Sequence, residues 1–405
     1  MKTNNVRRVS LKSSTPEQPV VKKREGGYAA QIAPKSISIT RQDISHWKRA
    51  QQSAMNADMP KRVLLHKMYR DIRLDAMLTS LIESRRLIST SAPFTLKSGD
   101  KIDEENTTLL KSLPWFTNFL GYIFDTQLDG TALVDMVTDK DGKLKPVLIP
   151  KTNVIPEKGL LLLDESSTTG IEFRNAKEYG SWLLEFGEPG ELGMLNKAIP
   201  HVLFKRFAQS CWSELCEIYG IPPRVLKTNT NDPAMLSRAE SAMRDMGTAA
   251  WFIIDDSEEF EFAKGIAISG DVFSSLINLC NNENSMLLHG AVIGQDTKNG
   301  NESKEKVSME QLMRRAEADK RYIEAYINSV ALPAFYLIGL LPDGLTFSFD
   351  PQEDTAELYT RTLGFLQYYE VPVDFIKDKF GITVTGIKQN AGGTGSNFQP
   401  DPKKK

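Results

Sequence analysis

The sequence predicts an α+β protein, mainly helical, and three features of its 405 residues carry that reading. Apolar residues recur at spacings of three and four over most of the chain, the mark of helices with a buried stripe. Between Thr131 and Phe186 the pattern changes to short β-prone runs parted by turn residues. Around this body lie polar, aperiodic ends, residues 1–44 and 386–405, which read as a disordered basic arm and a disordered tail.

Taken in order, Arg62 to Ser89 presents Leu65, Met68, Ile72, Met77, Leu81 and Ile88 among charges at helical spacing. Pro114 opens the next helix through Phe116, Phe119, Leu120 and Ile123, since proline suits a first turn. The β-prone runs are Ala132-Leu133-Val134, Val147-Leu148-Ile149, Leu160 to Leu163 and Trp182-Leu183-Leu184. Asp141-Gly142 and Glu188-Pro189-Gly190 punctuate them, and they should form a small antiparallel sheet packed on the earlier helices.

A helix from His201 follows, apolar on two faces. One stripe reads Phe204, Phe207, Cys211, Leu215 and Ile218; the other reads Ala208, Trp212, Cys216 and Tyr219. It stops at Gly220-Ile221-Pro222-Pro223. Next, Arg224 to Lys227 reads as a strand, Asp232 caps a helix that begins with Pro233 and ends at Gly247, and Ala250 to Ile254 reads as a buried strand. Asp271 starts a second apolar helix to Gly290, interrupted by Asn281, Asn282 and Asn284, whose amides need partners or water. Residues 291–307 are rich in Gly, Asn, Lys and Gln and read as an exposed loop. Ser308-Met309-Glu310-Gln311 is a capping-box pattern that starts a helix to about Gly339, with a kink expected at Pro333.

Composition bounds the function. Hydrophobic residues at 40% and charged residues at 25% suffice for a sizeable core in two or three domains, and the net charge of −2 excludes uniform electrostatic wrapping of nucleic acid. The charge is uneven: residues 1 to 49 hold 11 Lys or Arg against Glu17, Glu25 and Asp43. Such an arm either touches an anionic partner or is simply solvated, and composition favours the second. Three unpaired cysteines, Cys211, Cys216 and Cys280, sit in apolar helical patterns and indicate a reducing compartment. No secretory h-region and no apolar run near the ~20 residues of a membrane span are found, so no membrane role is expected.

Motifs of chemistry are lacking. There is no phosphate-binding Gly-x-x-x-x-Gly-Lys-Ser/Thr loop, no strand-linked Gly-x-Gly-x-x-Gly, no His-Glu-x-x-His and no Cys-x-x-Cys. The glycine-rich run at 392–396 has neither a following helix nor a lysine. Asp255, Asp256, Glu258, Glu259 and Glu261 form an acidic cluster. Carboxylates so closely spaced on a strand and turn point different ways, which favours a solvated or partner-facing surface over a metal site. The expectation is a protein without catalytic residues, cofactor or metal.

The segment Phe204-Lys205-Arg206 through Leu215-Cys216-Glu217-Ile218-Tyr219-Gly220-Ile221-Pro222-Pro223-Arg224-Val225 resembles the Mu-like phage and prophage portal proteins, in which a helix ends in such a turn before a strand. The helix from Asp232, the strand near Ala250 to Ile254, the polar loop and the helix through Arg314, Arg315 and Asp319 follow that family's order. The resemblance spans roughly residues 45 to 385.

It implies a portal fold with wing, stem, clip and crown regions. The map would be 45–199 wing, 200–220 stem helix, 221–268 clip, 269–290 second stem helix, 291–307 tunnel loop, and 308–385 a long kinked helix completing wing and crown. It further implies a homo-oligomeric ring, typically a dodecamer, at one capsid vertex of the virion, assembled in the bacterial cytoplasm. Double-stranded DNA would pass non-specifically during packaging and ejection. Terminase, the major capsid or scaffold protein and head-completion or tail proteins would be partners. On this map Gln295, Lys298, Asn299, Lys304 and Lys306 face DNA in the tunnel. Phe204, Phe207, Cys211, Trp212, Leu215 and Ile218 pack between subunits, and the acidic cluster is the clip's partner surface. Two other readings stand beside it: a non-portal phage head or adaptor protein, and a metal-dependent nuclease using Asp255, Asp256 and Glu258.

Overall fold

A computed structural model describes residues 43–220, 224–245, 251–255, 257, 271–292, 302–351, 355–366 and 373–380. The chain divides into two compact units, Met1–Phe349 and Asp350–Lys405. The basic arm up to residue 42, the chain end from 381 including the 392–396 glycine run, the turn at 221–223 and loop residues 293–301 lie outside the described residues.

The first unit opens with helix α1 (Ile44–Ala54), capped by Asp43, whose Oδ1 accepts the His46 N–H at 2.9 Å. The single helical stretch expected from Arg62 to Ser89 is two helices, α2 (Val63–Ile72) and α3 (Ala76–Thr90). Asp75 makes the break: its Oδ1 accepts the Leu78 N–H at 2.9 Å and caps α3. A hairpin of β1 (Phe94–Ser98) and β2 (Lys101–Ile102) leads to α4 (Glu104–Ser112) and α5 (Phe116–Asp129). Gly130 ends α5 at φ 102°, with its Cα against the Glu191 carbonyl, where only glycine fits.

The region of β-prone runs holds two small sheets rather than one. In the first, β3 (Thr131–Thr138) lies between β4 (Leu144–Leu148) and β8 (Leu183–Gly187), both antiparallel to it, with Ala132 opposite Phe186 and Val134 opposite Leu148. As the central strand, β3 is buried on both faces from Thr131 to Met136. The second comprises β5 (Val154–Ile155), β6 (Leu160–Leu161) and β7 (Ile171–Glu172). Leu133, Ile149, Val154, Leu161, Phe173 and Leu183 form a separate small core between them.

Helix α6 (Leu195–Gly220) begins before the expected His201 and carries Pro200 within it. The strand–helix–strand module follows as predicted: β9 (Arg224–Thr228), α7 (Pro233–Asp245) and β10 (Trp251–Asp255), with β10 parallel to β9 and α7 as the crossover. Asp232 Oδ1 accepts the Ala234 N–H at 2.9 Å and caps α7. Helix α8 (Asp271–His289) then returns to the body.

The long helix starts at Glu302, ahead of the predicted Ser308, as α9 (Glu302–Tyr326). It widens to a π-helix over Ile327–Ala331 and continues as α10 (Leu332–Ile338) until Gly339, at φ 83°. Pro333 lies in the first turn of α10, where its missing N–H is no loss; the wide turn before it absorbs the ring that an unbroken helix would exclude. The π-segment also aims Asn328 at the last strand, β11 (Leu345–Phe349). Asn328 Nδ2 donates to the Phe347 carbonyl at 2.9 Å, and its Oδ1 accepts the Phe347 N–H at 2.7 Å, so one amide side chain serves as a strand neighbour. On its other edge β11 pairs antiparallel with β1 in a third three-stranded sheet, β11–β1–β2. The core here is aromatic: Phe119 meets Trp115, Phe186 and Phe335, while Phe94 stacks on Phe347 at 4.9 Å.

In the second unit, α11 (Thr355–Leu366) and α12 (Val373–Phe380) meet through Tyr359 and Phe380, ring centroids 6.1 Å apart.

Candidate functional site

Helices α6 and α8 form an out-and-back pair. Lys197 and His201, early in α6, share a cavity with Glu283, Met286 and Leu287, late in α8, so the two run antiparallel. The side of α6 facing the body buries Ile199, Val202 and Ala208. Its other side leaves Phe204 48% and Phe207 61% exposed, and α8 adds Val272, Leu279 and Met286 at 62%, 55% and 49%. Those three recur every seven residues, which lines them along one face. An apolar exposure so aligned on two packed helices exceeds the scattered surface hydrophobes of a monomer.

Of the residues expected to pack between subunits, Phe204 and Phe207 are therefore on the surface of the protomer, and Cys211, Trp212 and Leu215 are half-buried. The side chain of Ile218 lies outside the described residues. Within the helix pair, Asn284 is fully buried with neither amide atom hydrogen-bonded, and Asn281 and Asn282 each have an unpartnered buried Oδ1. An unfilled buried amide costs about 1–3 kcal/mol, so these asparagines weaken the packing of α8.

The pair is anchored to α2 and α3 by ion pairs. Lys205 Nζ lies 2.8 Å from Asp75 Oδ2, and Arg206 reaches Asp71 Oδ2 at 2.6 Å and its carbonyl at 2.7 Å. Deeper still, Arg85 Nε and Nη2 donate to the two oxygens of Asp319, each at 2.7 Å, while Nη1 donates to the Leu288 carbonyl at 2.8 Å. One guanidinium thus ties α3, α8 and α9 together. None of these pairs is visible as a motif. A signal existed nonetheless: Arg85 shares a helical face with buried Leu78, Leu81 and Ile82, and a charge on an apolar stripe demands a buried partner.

Tunnel-loop residues Gln295, Lys298 and Asn299 lie outside the described residues, as does the side chain of Lys304. Lys304 and Lys306 belong to the first turns of α9 and not to a loop, and Lys306 is exposed. In the acidic cluster, Asp256, Glu258, Glu259 and Glu261 lie outside the described residues. Asp255 ends β10, and its carboxylate accepts the N–H and hydroxyl of both Thr230 and Ser257. Those bonds, led by the Ser257 hydroxyl, hold it well below the usual carboxylate range. It serves as a turn clasp, and among the described residues no group of three or more His, Cys, Asp or Glu gathers as a metal site. Nor, among them, is any helix long and apolar enough to cross a membrane.

The described residues thus form a mainly helical body with an antiparallel helix pair that exposes apolar side chains and a small strand–helix–strand module. The family model of the portal protein of Mu bacteriophage matches residues 66–382, and the chain belongs to that family. No curated relative matches the sequence. Among solved structures, the chain is similar to an HK97 family phage portal protein from Corynebacterium diphtheriae, with 13% identity, a TM-score of 0.39, and coverage of 75% of this chain and 98% of that one. It is also similar to a chain from the neck of an empty GTA particle computed with C6 symmetry, with 10% identity, a TM-score of 0.43, and coverage of 82% and 93%.

Proposed function

We propose that this chain is the portal subunit of a phage or prophage head, forming a closed homo-oligomeric ring at one capsid vertex. DNA enters and leaves through the ring, and terminase and then head-completion or tail proteins dock on it. Membership of the portal family supports this reading, and the observation that carries it is the exposed apolar face of α6 and α8. A heterologous contact, one face against a different face of the next copy, closes into a ring when the rotation between copies divides the circle. The β9–α7–β10 module, set between the two helices in the chain, takes the place of the clip, and Asp255 clasps its edge.

The channel needs no base-reading pocket, because packaging must accept every sequence. Repeated weak contacts from lysines near the start of α9, Lys306 among them, would steer phosphates without gripping them. Negative-stain electron microscopy of the purified chain tests the proposal, and closed rings with a central channel are expected. A chain that stays monomeric at every concentration, salt and capsid-precursor condition refutes it.

A further inference from the structure

A cavity of about 240 Å³ lies beside α2 and the segment joining β4 to β5, away from the α6–α8 pair. Its titratable lining is His66, Tyr69, Arg70, Arg73, Asp129 and Lys151. Three cations therefore meet one carboxylate. Lys151 Nζ is bonded to Asp129 Oδ1. Arg73 Nη2 is 3.5 Å from Asp129 Oδ2, buried, and makes no hydrogen bond. Arg70 is exposed at the mouth and forms no ion pair among the described residues.

The surroundings confirm the imbalance. Burial, then the charges of Lys151, Arg62, Arg70 and Arg73, push His66 well below its ordinary pKa, so the imidazole stays neutral. Burial also raises Asp129 despite the Lys151 ammonium beside it. Of the nearby cations, Arg62 is already satisfied, with Glu157 as its carboxylate partner and the Glu191 carbonyl at 2.7 Å. What remains is an excess of about two positive charges around a space that would hold roughly eight waters at the ~30 Å³ each takes in the liquid.

We propose that this cavity binds a small multivalent oxyanion of the phosphate type, held by Arg70, Arg73 and Lys151. Guanidinium forks match a tetrahedral oxyanion better than a halide, and a dianion cancels the excess. Arg73 Nη2, which has a 3.5 Å ion pair to Asp129 and no hydrogen bond, leaves Arg73 with donor capacity for such an ion. Bound there, it would join α2 to the β4–β5 segment. This inference does not depend on ring formation.

Isothermal titration of the full chain with inorganic phosphate, at fixed ionic strength and against chloride, tests it. Saturable binding of about one phosphate per chain is expected. Arg73→Gln should weaken it about tenfold or more, the loss of one charge-assisted contact. Arg70→Gln, which alters an exposed side chain and spares the packing, should weaken it severalfold with an unchanged circular dichroism spectrum. Lys101→Gln, on the exposed strand β2, should bind as the parent does.

No saturable binding to the parent overturns the proposal, and so does equal weakening by Lys101→Gln, which marks diffuse charge. A short DNA duplex titrated in parallel separates a free ion from a backbone phosphate. Duplex binding that is lost in the same variants while phosphate itself fails to bind also overturns it.

Discussion

Asp319→Ala should be among the most damaging single changes in the first unit. Asp319 is 1% exposed and Arg85 3%. Removing the carboxylate strands Arg85 Nε and leaves Nη2 only a long 3.4 Å bond to Gln127 Oε1, while Nη1 keeps the Leu288 carbonyl at 2.8 Å. Ser89 loses a 3.2 Å bond to Asp319 but keeps the Arg85 carbonyl at 2.9 Å. Two charged hydrogen bonds at about 1.5–3 kcal/mol each give about 3–6 kcal/mol, in line with the ~3–5 kcal/mol for breaking a buried pair. The double change Arg85→Met with Asp319→Leu removes the stranded charge and should recover most of that loss, because apolar packing replaces buried pairs at little cost. Urea unfolding of the unassembled chain, followed by far-ultraviolet circular dichroism, measures all three. A single variant that loses less than about 1 kcal/mol, or a double variant no better than the single, would show that the buried charge is not what makes the site costly.

Two other perturbations separate assembly from stability. Phe207→Ser alters a side chain that is 61% exposed, so protomer stability should shift by about 0.5 kcal/mol or less. Ring yield by size exclusion with light scattering should fall sharply, since each interface loses an aromatic anchor; undiminished rings would remove α6 from the interface. Lowering the pH should act on the protomer through His66 and His289, both held below 6.5 chiefly by burial. Just under that value the unfolded chain takes up protons that the folded one refuses, so stability falls as pH drops, by up to about 1.4 kcal/mol per pH unit for each imidazole. Asp129, raised by burial, binds its proton first in the folded chain and offsets part of the loss lower down. Urea midpoints between pH 7 and 5 should show the slope, and a His66→Gln, His289→Gln double variant should flatten it; an equal slope in that variant assigns the loss to other groups.

Helical periodicity was legible wherever one face packs and the other is wet, and so were the strand–helix–strand module and the cap at Asp232. Breaks inside a periodic run were not. Arg62 to Ser89 keeps its apolar rhythm through the corner at Arg73, and only the Asp75 cap, a local hydrogen bond, ends one helix and starts the next. The β1–β11 sheet was hidden for another reason. Each strand is five residues long, and they pair across 255 positions, Phe94 with Phe349, so neither carries a local signal. The cap box at Ser308 misled because the helix gains earlier turns from charged residues that no apolar pattern marks.

The same limit governs the site. Phe204 and Phe207 stood out because an apolar side chain needs cover, and that need can be read from the sequence without knowing who supplies it. The charges that orient the helix pair could not be read, because an ion pair is a property of two distant residues: Lys205 and Asp75 are 130 positions apart, Arg85 and Asp319 234. Yet the two layers act together. Lys205 and Arg206 grip Asp75 and Asp71 at the corner between α2 and α3, and their neighbours Phe204 and Phe207 point away from that grip into the open. Fixing one side of the helix by buried charge decides which apolar side chains remain for a neighbour. Charge reversal at Asp71 should therefore disturb assembly as well as folding, by rotating the face that the next subunit would meet.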